Sequence, residues 1–120
     1  MPAQSPVSVV LPWPPAVNNL YLNVKGRGRV KSPRYSNWLN EAGWIIGTTK
    51  TGRIAGPYQI EIHATRPDKR KRDLDGICKP ILDCLVKNGV TDDDSIAQRI
   101  TLAWSAEGSG VRVVITEYTP

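Results

Sequence analysis

The chain has 120 residues, a formal charge of +5 and 40% apolar residues. That length sets one domain, residues 1–120, as the expectation, burying about two-thirds of the unfolded surface around a single core. No basic n-region or sustained apolar stretch suggests a signal peptide or membrane span, and Cys78 and Cys84 have neither CxxC nor zinc spacing, so a secreted disulfide scaffold, a membrane protein and a zinc module are all disfavoured.

Residues 6–12 (PVSVVLP) read as a short β-branched strand, ended by Trp13-Pro14-Pro15. Residues 16–24 form a turn entering a second element. Cations then alternate with other residues through Lys25, Arg27, Arg29 and Lys31, and the two intervening glycines predict a mobile basic loop or a loose hairpin. Ser32-Pro33 is a strong helix start, and apolar residues from Tyr35 to Ile46 recur at helical steps. Residues 58–65 (YQIEIHAT) alternate as a half-buried strand.

A second helix is expected from Leu74, with Asp73 at its N-cap. Leu74, Ile77, Cys78, Ile81, Leu82 and Leu85 form one apolar stripe. Asp75, Lys79 and Asp83 fall on a neighbouring face. Pro80 removes a backbone donor and crowds the carbonyl of Gly76, so a kink is expected there. Gly89 suits the stop. Residues 96–105 and 110–118 read as two strands joined by Glu107–Gly110 as a hairpin. The sum is an α+β domain: a small mixed or antiparallel sheet of about four strands with two main helices packed on it. Both cysteines fall in the apolar helical pattern, so buried free thiols in a reducing, intracellular compartment are expected.

The chemistry concentrates between Arg66 and Asp94. Arg66, Lys69, Arg70, Lys71 and Arg72 run directly into Asp73 and Asp75, and Asp92-Asp93-Asp94 follows after a helix-length gap. Clustered cations attract a polyanion. Paired carboxylates hold a hard divalent ion such as Mg²⁺, which takes oxygen ligands and keeps several waters. Together they suit metal-assisted phosphodiester cleavage. Asp73, Asp75 and Asp94 are the candidate ligands, with Asp93 as a further one, and Lys79 is placed to neutralise developing charge.

Each residue also has a structural reading. Asp73 suits an N-cap, Asp75 a favourable first-turn charge, Asp92 a solvated turn and Asp83 a surface charge. His63 is a lone strand residue. The four Trp residues read as core or interface rather than as base-stacking platforms. The residues alone leave open a branched-DNA-binding protein that does not cut and a basic RNA-binding domain.

The stretch from Pro67 through Asp73-Leu74-Asp75, Lys79 and Asp83 to Gly89 and Asp93-Asp94 resembles the RusA-type Holliday junction resolvases in order and spacing. The opening Leu11–Pro15 with Asn18, Asn19 and Tyr21 is similar to that family's N-terminus. The resemblance implies a RusA-like fold and a cytoplasmic, bacterial or phage-borne homodimer. It implies paired symmetric nicks in a four-way DNA junction, in recombination and repair, with Mg²⁺ as cofactor and Mn²⁺ as a substitute. It places essential carboxylates at Asp73, Asp75 and Asp94, the catalytic lysine at Lys79, and a supporting aspartate at Asp83. DNA contacts are expected from Lys69, Arg70, Lys71 and Arg72, with Arg27, Arg29 and Lys31 as further candidates. The departures are Gly76, where the family has Asn, Pro80 directly after the lysine, and one extra residue between Pro15 and Asn18.

Overall fold

The computed structural model describes residues 4–120; the first three residues of the N-terminal stretch read for a signal peptide lie outside it. Strand β1 (Val7–Leu11) is followed by a 3₁₀ turn (Val17–Asn19), the strands β2 (Tyr21–Val24) and β3 (Gly28–Lys31), and helix α1 (Pro33–Thr48). Strand β4 (Tyr58–Thr65) leads to a 3₁₀ turn (Leu74–Ile77), helix α2 (Cys78–Lys87), a further 3₁₀ turn (Asp94–Ile96), and strands β5 (Ala97–Ser105) and β6 (Val111–Glu117). No helix among the described residues is long and apolar enough to cross a membrane.

The main sheet has four strands in the order β1-β6-β4-β5. It is mixed: β6 runs antiparallel to both β1 and β4, and β5 runs parallel to β4. The alternation of β4 puts Tyr58, Ile60, Ile62 and Ala64 on one face, and register aligns them with Val111, Val113 and Ile115 of β6. All seven are buried, and α1 and α2 cover them with Trp38, Leu39, Ala42, Ile81 and Leu85. Burying one such aliphatic side chain contributes about 1.5–3 kcal/mol, so this shared face supplies most of the drive to fold. The opposite face carries Glu61 and Arg112 and meets solvent.

Helix α1 starts as its sequence dictates. Ser32 Oγ accepts from the Tyr35 N–H at 3.1 Å, with Pro33 in the first turn. The stretch expected as a mobile loop or loose hairpin forms a paired two-stranded ribbon, β2 with β3. It is tied to the body where Ser32 N–H donates to Leu20 O at 2.9 Å and Tyr21 meets the Tyr35 ring edge-on at 5.9 Å.

The expected hairpin between the last two strands is not formed. Strand β4 lies between β5 and β6, and the connection crosses the end of β4. Thr65 secures that crossing: its N–H donates to Gly110 O at 3.0 Å and its hydroxyl to Glu107 O at 2.7 Å. Gly110 is required there, since its φ is +73° and a Cβ would stand 2.7 Å from Leu11 O. A turn-rich segment between two strands signals reversal of direction, but not whether a third strand occupies the gap.

Candidate active site and nucleic-acid interface

The basic run leaves the end of β4 and is folded against two tryptophans. The Trp13 indole N–H donates to Thr65 O, and its ring stacks on Trp104 at 5.7 Å with 24° between planes. Arg66 lies over Trp104 at 4.0 Å, and Arg72 over Trp13 at 5.5 Å. Arg72 is further gripped by Asp68, its Nε and one terminal nitrogen donating at 3.2 and 2.8 Å. This paired contact, with the Arg70 N–H, holds the Asp68 carboxyl below the usual carboxylate range, the Arg72 bond being the largest cause. Planar guanidinium forks suit such two-point contacts and stack on aromatic faces. The sequence alone gives Lys69, Arg70, Lys71 and Arg72 as equivalent candidates for DNA contact. In the folded chain Arg66 and Arg72 are committed to the tryptophans, while Lys69, Arg70 and Lys71 are exposed. The i,i+4 spacing of Asp68 and Arg72 carried the signal for that latch.

Asp73 follows immediately. It stands at the N-cap position of the 3₁₀ turn, but its side chain makes no capping bond. The capping role that was its structural reading is therefore not where its carboxylate is used. Asp75 lies within the same turn, and both aspartates are exposed.

The predicted continuous helix kinked at Pro80 is corrected here. The α-helix proper starts at Cys78, and Pro80 is its third residue, where a missing N–H costs no intrahelical bond. The ring that would crowd Gly76 O in an α-helix excludes that geometry upstream, and the chain from Leu74 to Ile77 tightens into a 3₁₀ turn instead. The helical phase assumed for Asp75 and Lys79 does not carry across this junction. Lys79 Nζ instead donates to Asp83 Oδ1 at 3.0 Å, one turn on, and to Asp94 Oδ2 at 3.3 Å. These contacts, Asp83 first, hold its proton more firmly than an ordinary lysine does, so Lys79 is a cation and not a base at neutral pH.

The Asp92–Asp94 loop divides its carboxylates by task. Asp92 pairs with Arg53 and accepts the Gly56 N–H at 2.9 Å, which anchors the loop to the segment before β4. Asp93 Oδ1 accepts the Ser95 N–H at 3.2 Å, and this bond chiefly keeps its carboxyl below the usual range. Asp94 alone turns toward Lys79.

Asp73, Asp75 and Lys79 line one cavity of about 650 Å³, with Lys71 and Arg72 at its edge and Trp13 in its wall. Asp83 and Asp94 line a smaller one of about 310 Å³, with Lys31 and Tyr35. The Lys79 ammonium joins the two sets. Among the described residues, no three His, Cys, Asp or Glu side chains are arranged to hold one ion. The structure therefore brings Asp73 and Asp75 to one cavity, and links Asp94 to them only through Lys79. Two carboxylates fit Mg²⁺, which is commonly held by one or two carboxylates and keeps several waters; Cys78 also lines the cavity, its thiol pushed toward the neutral form chiefly by burial.

Of the ribbon cations, Arg29 lies over the Tyr21 ring at 4.1 Å and Lys31 faces the smaller cavity, while Arg27 is exposed at the turn. His63 sits on the solvent face of β4, 3.6 Å from Glu61, and lines neither cavity. Both cysteines are free thiols, Cys84 buried and Cys78 half-buried. Trp38 is core, as expected, whereas Trp44 is exposed on α1.

Residues 12–116 match the family model described as Endodeoxyribonuclease RusA. The chain is 33% identical over 112 residues to the crossover junction endodeoxyribonuclease RusA of Escherichia coli (strain K12), covering 92% of this chain and 93% of that protein. It is 32% identical over 111 residues to the corresponding protein of Enterobacteria phage 82, covering 91% and 92%. The Shigella sonnei protein of the same name is 31% identical over 112 residues, covering 92% and 93%.

Proposed function

The chain belongs to the RusA endodeoxyribonuclease family, and on that premise we propose that it is a structure-selective endodeoxyribonuclease that resolves four-way DNA junctions. The observation that carries this reading is the pairing of Asp73 and Asp75 in one cavity with the Lys79 cation and the exposed Lys71.

In this reading Asp73 and Asp75 are ligands for Mg²⁺, with Mn²⁺ as a substitute, and Asp94 is the third carboxylate, with Asp93 beside it. Such an ion supplies an activated water and charge relief at phosphorus. Lys79 presents a fixed positive charge to the phosphoryl oxygens as negative charge builds on them, and Asp83 orients it. Lys69, Arg70, Lys71, Arg27 and Lys31 contact backbone phosphates, which position the junction without reading sequence. Arg29 and Arg72 act through the aromatic rings they cover. A four-way junction has two-fold symmetry, and resolution needs two opposed cuts, so the working unit is a C₂ homodimer with one site per scissile strand. A single domain of 120 residues suffices for one site. The ion pair between Lys79 and Asp94 favours, as the second reading, a branched-DNA-binding protein that does not cut.

A synthetic four-way junction, end-labelled and incubated with and without Mg²⁺ beside matched duplex and single-stranded RNA, tests the proposal. Symmetric nicks on opposed strands, in Mg²⁺ only, are expected. Asp73→Asn, Asp75→Asn and Asp94→Asn should each abolish cutting while junction binding persists or tightens. Binding without cutting in any divalent ion would establish the second reading, and equal affinity for RNA would remove the junction from the function altogether.

A further inference from the structure

The net charge of the chain is confined to one place. No Asp or Glu precedes Glu41, whereas Lys25, Arg27, Arg29, Lys31 and Arg34 all do. These are five of the 16 Lys and Arg residues, leaving eleven against the eleven Asp and Glu of the rest of the chain. The segment from Arg66 to Asp94, which holds the basic run and every candidate carboxylate, is itself neutral, with seven cations and seven aspartates. The field that draws a polyanion from a distance therefore comes from the β2–β3 ribbon and the start of α1, while the basic run acts at close range.

The fold leaves these charges free. All five are exposed, and among the described residues none has a carboxylate within 4.0 Å. Arg70, Arg72 and Lys79 of the neutral segment each have one.

The ribbon also has a fixed bearing on the candidate site. Its paired root, Tyr21 with Lys31, lines the cavity of Asp83 and Asp94. Ser32 ties that root down, its N–H donating to Leu20 O at 2.9 Å and its hydroxyl to Asn19 O at 2.8 Å. At the other end the Arg27 N–H donates to Val24 O at 3.0 Å and closes an exposed turn. Pairing puts Tyr21, Asn23, Arg29 and Lys31 on one face and Leu22, Val24 and Val30 on the other. At about 3.3 Å per residue, the four-residue strands span about 13 Å from root to turn. That is the rise of about four base pairs, at about 3.4 Å each.

We propose that the ribbon is an arm clamp: one duplex arm of the junction lies along it, with the scissile phosphate at the root and Lys25 and Arg27 on backbone phosphates about four base pairs out. The inference rests on the junction-nuclease reading and names the part of the substrate that the ribbon grips. The clamp supplies the long-range attraction, and the basic run meets the DNA nearest the cut.

The test measures junction affinity against salt in EDTA, with uncharged methylphosphonates replacing a short run of phosphates that is moved stepwise along each arm. The wild-type protein should show one window, about four base pairs from the crossover, where neutralisation lowers the slope of log affinity against log salt by about two units. Lys25→Gln/Arg27→Gln should lose as much on the unmodified junction and nothing further when that window is neutralised. Lys50→Gln/Arg99→Gln removes the same charge from exposed positions outside the ribbon and should leave the slope as it is. Equal slopes for the two double variants would overturn the clamp, and so would a ribbon variant that still responds to the window. Cleavage in Mg²⁺ is scored separately on the same junctions. No cutting with the window intact would remove the nuclease reading and keep the clamp, cutting with no window would do the reverse, and no junction binding would overturn both.

Discussion

Replacing Lys79 with Met keeps the aliphatic stem and removes one cation. Its Nζ stands 3.3 Å from Asp94 Oδ2 and 3.0 Å from Asp83 Oδ1, with the side chain 56% exposed. A pair this exposed contributes about 0.2–1 kcal/mol, because water screens the charges and two side chains must be held still. With Asp94 as a ligand in the proposed site, a divalent cation competes with the ammonium for it. Removing the competitor therefore tightens ion binding by up to about fivefold, taking tenfold as about 1.4 kcal/mol. Cleavage moves the other way. The charge that faces the phosphoryl oxygens is lost, and deleting one such stabilising group costs about a hundred- to a thousandfold in rate. Mn²⁺ titration of the DNA-free protein, followed by electron paramagnetic resonance, reads the first effect, and single-turnover junction cleavage the second. Weaker Mn²⁺ binding in Lys79→Met would refute the competition and make Lys79 a support for the ion site. Unchanged cleavage would remove Lys79 from the chemistry.

The exposed cations and the committed ones should separate by salt dependence. Arg70→Ala and Lys71→Ala each lower the slope of log affinity against log salt by about one unit, whereas Arg72→Ala leaves it unchanged because that guanidinium is held by Asp68; equal slopes for all three would show that Arg72 releases Asp68 to reach DNA. Pro80→Ala restores an N–H that can donate to Gly76 O and lets α2 extend upstream, so junction cleavage should fall several-fold with an unchanged or higher melting temperature. Wild-type rates would show that Asp75 does not depend on the 3₁₀ turn. Burial pushes the Cys84 thiol up to about 11 and the Tyr35 hydroxyl up to about 12. Both are favoured in the neutral form when folded, so their contribution is full below the unfolded thiol value and is lost as pH rises through about 11. Denaturant midpoints measured from pH 8 upward should fall, and Cys84→Ala should flatten the first part of the decline; parallel curves would clear the thiol.

What the sequence disclosed was local. Ser32-Pro33 specified a helix start, the alternation of 58–65 specified a half-buried strand, and Gly89, at φ +72°, ends α2 where expected. The candidate carboxylates were legible from spacing alone, but their division between two cavities was not. That division depends on Lys79 reaching Asp94, 15 positions on, and on the tight turn that Pro80 imposes on Leu74–Ile77. The insertion of β4 between β5 and β6 was equally hidden, since long-range pairing leaves no mark on a five-residue connection. The Trp13–Trp104 stack joins residues 91 positions apart in the chain and gives no periodic signal.

The position of β6 has a consequence for how the protein is made. This strand, the last element in the chain, lies inside the sheet and is the sole bridge between β1 and the β4–β5 pair. Until residues 111–117 leave the ribosome, the first strand has no partner and one edge of β4 is unpaired. Pairing across so much intervening chain is slow to form and cannot begin early. The frame behind the candidate site is therefore incomplete until β6 has docked. A product interrupted before Val111 lacks the strand that joins the sheet, so prematurely terminated copies carry the carboxylates without the frame that aims them.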